Sequence, residues 1–309
     1  MTPQLVPLSL STRNGSHDAW AIDRRMVVHN QEHLMASLSL IFGAIVGLSL
    51  GLTGGGGAIF AVPMLVYGLG MATREAVGIS LAAVGVTSFV GFLGRWKSGQ
   101  VEIRTGLLFA LAGMIGAPIG SWLAGLIPEP LLLTLFAILM LVVAYRMWAK
   151  AVASTRAVAA ACPVENPDED GPSCQRDADG NLRLTSRCAR LLLLVGLLTG
   201  VLSGLFGVGG GFVIVPALIL FSGMAIHRAV GTSLLVITLV SVSGVASHLY
   251  AGRTIPLDVT SWFVAGGVGG MLLGTQIGRH LSAPTLQKGF ALAILAVATF
   301  VFYRTVFLS

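Results

Sequence analysis

Apolar residues run along this chain in long blocks, and polar residues collect between them. Eight blocks approach the roughly 20 apolar residues that carry a helix through a hydrocarbon core of about 30 Å. They are Leu34–Leu52, Ala76–Gly94, Thr105–Leu126, Leu131–Ala149, Ala189–Phe206, Ala229–Leu249, Val259–Ile277 and Leu286–Phe307. Two shorter stretches, Ala58–Gly70 and Gly211–Gly223, each follow a cluster of glycines. The pattern predicts an all-α integral membrane protein of about ten transmembrane segments. A polar stretch interrupts the blocks once. This divides the chain into a disordered tail over 1–33, a first transmembrane repeat over 34–149, a polar cytoplasmic loop over 150–188 and a second repeat over 189–309.

Composition agrees. The 309 residues are 55% hydrophobic and 10% charged, with mean hydropathy +0.86, where a soluble domain carries about 25% charged residues. The net charge of +6 comes without a basic cluster interleaved with aromatics, so nucleic acid is not an expected partner. The expected partners are a lipid bilayer, a small anionic substrate and further copies of the chain in a homo-oligomer. Acidic residues avoid the blocks. Only Glu75, Glu102, Glu129 and Asp258 fall within the helical regions, each at a segment end, where a charge avoids the cost of the bilayer centre.

The chain also repeats itself. At an offset of 153, Gly43, Gly47 and Gly51 map onto Gly196, Gly200 and Gly204. Gly54, Gly56 and Gly57 map onto Gly207, Gly209 and Gly210, and Pro63 onto Pro216. Ala76-Val77-Gly78-Ile79-Ser80-Leu81 maps onto Ala229-Val230-Gly231-Thr232-Ser233-Leu234. Ser88 and Gly99 map onto Ser241 and Gly252, and Gly113 and Gly116 onto Gly266 and Gly269. One residue of slip then brings Gly120 onto Gly274. Five crossings per half would reverse the second half and make an inverted-topology repeat. If the two short segments do not cross, the repeat is parallel. With five crossings, Arg95, Lys97, Arg104 and Arg228 share the more basic side with the middle loop, which places that side in the cytoplasm. Arg74 and Arg253 fall on the other side.

Glycines four apart, such as Gly43/Gly47/Gly51, lie on one helix face and allow close helix packing in lipid. The clusters Thr53-Gly54-Gly55-Gly56-Gly57 and Gly207-Val208-Gly209-Gly210-Gly211 have another consequence, because successive glycines disfavour helix. Irregular backbone at membrane depth must be buried in protein or line a cavity. A helix restarting at Ala58 or Phe212 would present unpaired N–H groups and a positive dipole end, which bind anions without a side-chain charge. The candidate substrate-binding residues are therefore Thr53, Gly54, Gly55, Gly56, Gly57, Gly207, Gly209, Gly210 and Gly211, with hydroxyls from Ser80, Thr232 and Ser233. Tight packing turns are the plainer alternative for the clusters. For each hydroxyl the plainer alternative is a bond to the carbonyl four residues back.

Other chemistry finds no support. Gly207–Phe212 lacks the last glycine of a dinucleotide fingerprint, and Lys97-Ser98 follows Trp96 where an ATP-binding loop needs Gly. There is no HExxH, and no enzymatic function, metal or cofactor is expected. Cys162, Cys174 and Cys188 match no zinc or CxxC spacing and are expected as free thiols. His227, His248 and His280 lie at or near segment ends, where proton coupling competes with simple headgroup contact.

The paired glycine cluster followed by Pro63 or Pro216, with AVGxSL at 76–81 and 229–234, resembles the sulfite exporter TauE/SafE family. The resemblance covers roughly 34–149 and 189–307. It implies a two-half membrane transporter of sulfur-containing anions such as sulfite or organosulfonates. The first cluster has Ala58 where the second has Gly211, so the half-sites are unequal. An inside-negative potential drives an anion outward, by about 2.3 kcal/mol per charge per 100 mV, so export by alternating access around the two clusters needs no coupling ion. A proton-coupled permease for another small anion or organic acid is the alternative.

Overall fold

The computed structural model describes residues 15–159, 186–222, 224, 226–278, 292 and 294–301. Among these every regular element is helical and no strand occurs. Helix α1 spans Gly15–Thr53, α2 Gly56–Gly68, α3 Thr73–Trp96, α4 Ile103–Leu126 and α5 Glu129–Ala159. Helix α6 spans Ser186–Phe206, α7 Gly211–Ser222, α8 Ile226–Tyr250 and α9 Leu257–Ile277, and residues 294–301 are helical again. Among the described residues six stretches are long and apolar enough to cross a membrane: Leu34–Thr53, α3, α4, Cys188–Phe206, His227–Tyr250 and α9. The two short segments fall on α2 and α7. Helix α2 opens as a 3-10 turn over Gly56–Phe60 and ends as a π turn over Met64–Gly68. Pro63 stands between, and its missing N–H interrupts regular bonding.

Three expectations change. Helix α1 begins at Gly15, inside the stretch expected as a disordered tail. No proline breaks 15–53, and an apolar helix already formed extends cheaply because nucleation is behind it. Helix α5 likewise continues to Ala159, past the boundary expected for the middle loop. Cys188 is buried and disulfide-bonded, not a free thiol. A disulfide needs only that the fold bring two sulfurs together, which spacing along the chain does not report. Cys162, Cys174 and His280 lie outside the described residues.

Glycine contacts fix the helix directions. A Cβ placed on Gly43, Gly47 or Gly51 would fall on the backbone of Phe263, Gly267 or Met271, so α1 and α9 run parallel with touching backbones. On α6, Gly196, Gly200 and Gly204 meet the backbones of Phe109, Gly113 and Ala117, so α6 and α4 do the same. Gly267 faces Thr87 and Gly91 faces Met271, which makes α3 parallel to α9. Gly106 faces Thr232 and Gly113 faces Val240, which makes α4 parallel to α8. Helices α3 and α8 are antiparallel, with Gly78 against His248, Gly85 against Ser241 and Gly91 against Leu234. Two bundles result: α1, α3 and α9 run one way, and α4, α6 and α8 the other. Each mixes the two sequence halves.

The bundles meet where α3 crosses α8, and these two are the most buried of the six spans. The outer surface is apolar. Ile115, Trp122, Leu126, Leu194, Leu198 and Leu273 all stand exposed, which suits lipid and not water.

Candidate functional site

Each glycine cluster ends one helix and opens a short one. Gly54 has φ +73° and Gly207 φ +71°, left-handed values that terminate a helix and favour glycine. The Gly54 N–H donates to the Leu50 carbonyl at 2.7 Å, and the Gly207 N–H to the Ser203 carbonyl at 2.8 Å. Helix α2 then starts at Gly56 and α7 at Gly211. Gly54 to Gly57 and Gly207 to Gly211 are all buried, and Thr53 is half-buried. The clusters also touch: a Cβ on Gly55 would lie 2.6 Å from the Gly211 carbonyl oxygen, and one on Gly211 2.6 Å from the Gly55 Cα. The first N–H groups of any helix lack partners within it, so two positive helix ends converge here.

The predicted hydroxyls take different places. Ser80, fully buried on α3, donates to the Gly207 carbonyl at 2.6 Å. Ser233, fully buried on α8, shares its hydroxyl proton between the Gly54 carbonyl at 2.7 Å and the Val230 carbonyl at 2.8 Å. Both therefore hold the clusters in position, each across to the other sequence half. Thr53 donates to the Ser49 carbonyl at 2.8 Å and accepts from the Gly56 N–H at 3.0 Å, which takes up one of the donors expected to be open. Thr232 turns elsewhere and accepts the Glu102 N–H at 3.0 Å, at the start of α4. The structure thus joins Thr53, Ser80 and Ser233 to the glycines and separates Thr232 from them.

Two hydroxyls that the sequence did not single out also adjoin the second cluster. The Ser241 Oγ lies 3.7 Å from the place a Cβ would take on Gly209, and the Ser203 Cβ 3.6 Å from that place on Gly210. The signal for Ser241 was present in the repeat, which pairs it with Ser88.

Charge is confined to the ends of the bundles. Within the six spans the only acidic residues are Glu75 and Asp258, each in the first turn of its helix. Glu102 lies 3.8 Å from Arg228 near the start of α4. At the opposite end Arg74 donates to the Gly125 carbonyl at 3.4 Å, and a Cβ on Gly125 would lie 2.9 Å from the Arg253 guanidinium. Burial pushes the Arg253 guanidinium below its usual value, and the charge of Arg74 adds to this. His248 is buried at this end of the α3–α8 crossing, with its Nε2 against Gly78.

Known proteins are similar in sequence over most of the chain. The family described as sulfite exporter TauE/SafE matches residues 39–301. A probable membrane transporter protein of Xylella fastidiosa (strain Temecula1) is 35% identical over 269 residues, covering 85% of this chain and 93% of the relative. The probable membrane transporter protein YunE of Bacillus subtilis (strain 168) is 27% identical over 281 residues, or 87% of this chain and 97% of YunE. A probable membrane transporter protein of Haemophilus influenzae is 26% identical over 291 residues, or 86% and 98%. No solved structure matches the chain. With its apolar spans and buried glycine clusters, the chain belongs to the TauE/SafE sulfite exporter family and is a multi-pass membrane protein.

Proposed function

We propose that the protein is a transporter that exports small sulfur-containing anions, such as sulfite or organosulfonates, by alternating access. The observation that carries this is the contact of Gly55 with Gly211, which brings the openings of α2 and α7 together. Two positive helix ends side by side favour a negative ligand, and the six spans hold no acidic residue beyond a first turn. A cation site would want such a carboxylate. The family match supports the substrate class.

The two halves form an inverted-topology repeat of about ten segments. The directions of α1 and α3, opposite to those of their counterparts α6 and α8, support this, with α2 and α7 as the short returning segments. The end holding Lys97, Arg104 and Arg228 faces the cytoplasm. The moving bodies are the two bundles, which rock about the α3–α8 crossing, and the clusters between them open to each side in turn.

A proton-coupled permease for another small anion is the second reading, favoured by one observation. His248 is a buried protonatable group at the crossing itself. Purified protein in liposomes loaded with sulfite, sulfoacetate or chloride tests both readings. Under the first, sulfur oxyanions leave selectively at a rate that follows an imposed potential. Efflux that follows a pH gradient and ignores the potential supports the second. Absence of flux for all three anions from folded protein overturns the substrate class.

A further inference from the structure

The α3–α8 crossing holds hydroxyls that have no hydrogen-bond partner among the described residues. Ser88 is fully buried on α3 and Ser241 is 1% exposed on α8, and neither Oγ has a hydrogen-bond partner. Ser203, fully buried on α6, is in the same condition. Other hydroxyls in these spans behave differently. Thr87, Thr199 and Thr238 each donate to the carbonyl four residues back, the ordinary outcome for a hydroxyl in an apolar helix. A buried hydroxyl left unpaired costs free energy, so three in one region call for a partner that comes and goes.

Their placement says where that partner sits. The Ser241 Cβ lies 2.9 Å from the position of a Cβ on Gly85, and its Oγ 3.7 Å from that position on Gly209. Ser241 therefore stands between α3 and the second glycine cluster. Ser88 is three residues beyond Gly85, on the same face of α3. The Ser203 Cβ lies 3.6 Å from the position of a Cβ on Gly210, the next residue of the cluster. Ser88 and Ser241 also correspond at the offset of 153 (241 − 88), so both halves bring the same group to the crossing. The residue corresponding to Ser203 is Leu50 (203 − 153), so Ser203 has no matching hydroxyl in the first half.

We propose that Ser241 and Ser203, beside Gly209 and Gly210, form a hydroxyl site for the transported oxyanion, and that Ser88 is the matching contact from the first half as the anion passes the α3–α8 crossing. The inference rests on the anion-transport reading and assigns it side chains. Hydroxyl donors suit the several oxygens of sulfite or a sulfonate and supply no fixed charge, so the anion is not held too tightly to leave.

Two measurements test it. Ser241→Ala and Ser203→Ala remove a buried unpaired group, so their melting temperatures in detergent stay level or rise, while sulfite efflux from liposomes falls about tenfold or more. Ser88→Ala has a smaller effect in the same direction. Unchanged efflux in all three overturns the site. A lowered melting temperature with proportionate loss of efflux makes the hydroxyls structural and also overturns it. Separately, Ser241→Cys and Ser88→Cys are exposed to the anionic thiol reagent sulfonatoethyl methanethiosulfonate, with the parent chain and its three cysteines as background. Labelling at both positions, slowed by sulfoacetate, a sulfonate that unlike sulfite does not attack the reagent, supports the whole proposal. Labelling that sulfoacetate does not slow keeps the path at the crossing and overturns the sulfur-oxyanion reading. No labelling, in protein whose liposomes pass sulfite, overturns the path and leaves the transport reading standing.

Discussion

The Ser80 hydroxyl and the Gly207 carbonyl, 127 positions apart in the chain, are joined by a buried hydrogen bond of 2.6 Å. Ser233 and Gly54 repeat the bond in the opposite sense, at 2.7 Å. Each half thus holds the other half's glycine cluster in place. Ser80→Ala leaves the Gly207 carbonyl without this donor and is expected to lower stability by about 1–3 kcal/mol, read as a drop in melting temperature in detergent. Ser233→Ala lowers it too, because the Gly54 carbonyl loses the same support.

Backbone contact between helices sets a harder limit. A Cβ on Gly47 would overlap the Gly267 backbone, and one on Gly200 the Gly113 backbone. Backbone cannot swing aside as a side chain can. Gly47→Ala and Gly200→Ala are expected to destabilise by about 1–3 kcal/mol or more and to lower the yield of monodisperse protein. Gly94, exposed on α3 with nothing within 4 Å of its Cβ position, is the control. Gly94→Ala should be neutral or stabilising by up to about 1 kcal/mol.

The two clusters should respond differently to alanine. A Cβ on Gly56 would lie nearest the Thr53 side chain, 3.1 Å from its Oγ1, and a shift of a few tenths of an ångström there makes room. Gly209 has φ +66°, a backbone conformation that costs alanine about 1–2 kcal/mol. Gly56→Ala should therefore fold like the parent, and lost efflux would place the first cluster in the transport site. Gly209→Ala should lose both stability and efflux. Parent-like efflux in alanine and valine variants at both positions would remove the clusters from the site.

His248 decides between the two transport readings. If efflux is driven by the potential alone, His248→Gln leaves its response to a pH gradient unchanged. If the proton is a coupled ion and His248 carries it, the substitution abolishes a pH-gradient response that the parent shows. Liposome efflux of sulfite at fixed potential, with the outside pH stepped, separates the two.

Arg228 and Glu102 make a weak pair by comparison. They stand 3.8 Å apart, and the arginine is 51% exposed. Arg228→Gln is expected to change stability by no more than about 1 kcal/mol, within reach of the same melting assay.

The helical class and the six spans were legible because bilayer thickness dictates block length, and the breaks at α2 and α7 were legible because glycines and prolines mark them. Matching packing roles for the glycines of α1 and α6 were legible too, but the register between α4 and α9 was not. Sequence matching carried Gly113 onto Gly266. The contacts instead give Gly113 the role of Gly267: Gly200 packs on the first as Gly47 packs on the second. The slip therefore falls in the short α3–α4 and α8–α9 connections, after Gly99 and Gly252. Helix α9 carries Gly266, Gly267, Gly269 and Gly270, so glycine identity fits either register, whereas Phe109 with Phe263 fits one. The hydroxyl roles were the least legible. Ser80, Thr232 and Ser233 stand together in the repeat, yet whether a hydroxyl reaches a distant carbonyl, a loop N–H or nothing depends on what packs opposite. That is decided by helix crossing and not by local order.

The exchange of partners between halves bears on how such a chain could arise. Helix α1 finds its backbone-to-backbone mate in α9, and α6 finds its own in α4. A protein consisting of either half alone would expose that glycine face to lipid with nothing to meet it. Two identical short proteins inserted in opposite orientations could have supplied each other's missing mate. Joining the halves in one chain fixes their ratio at one to one and lets each carry its own residue at a matching place, as with Ser203 and Leu50.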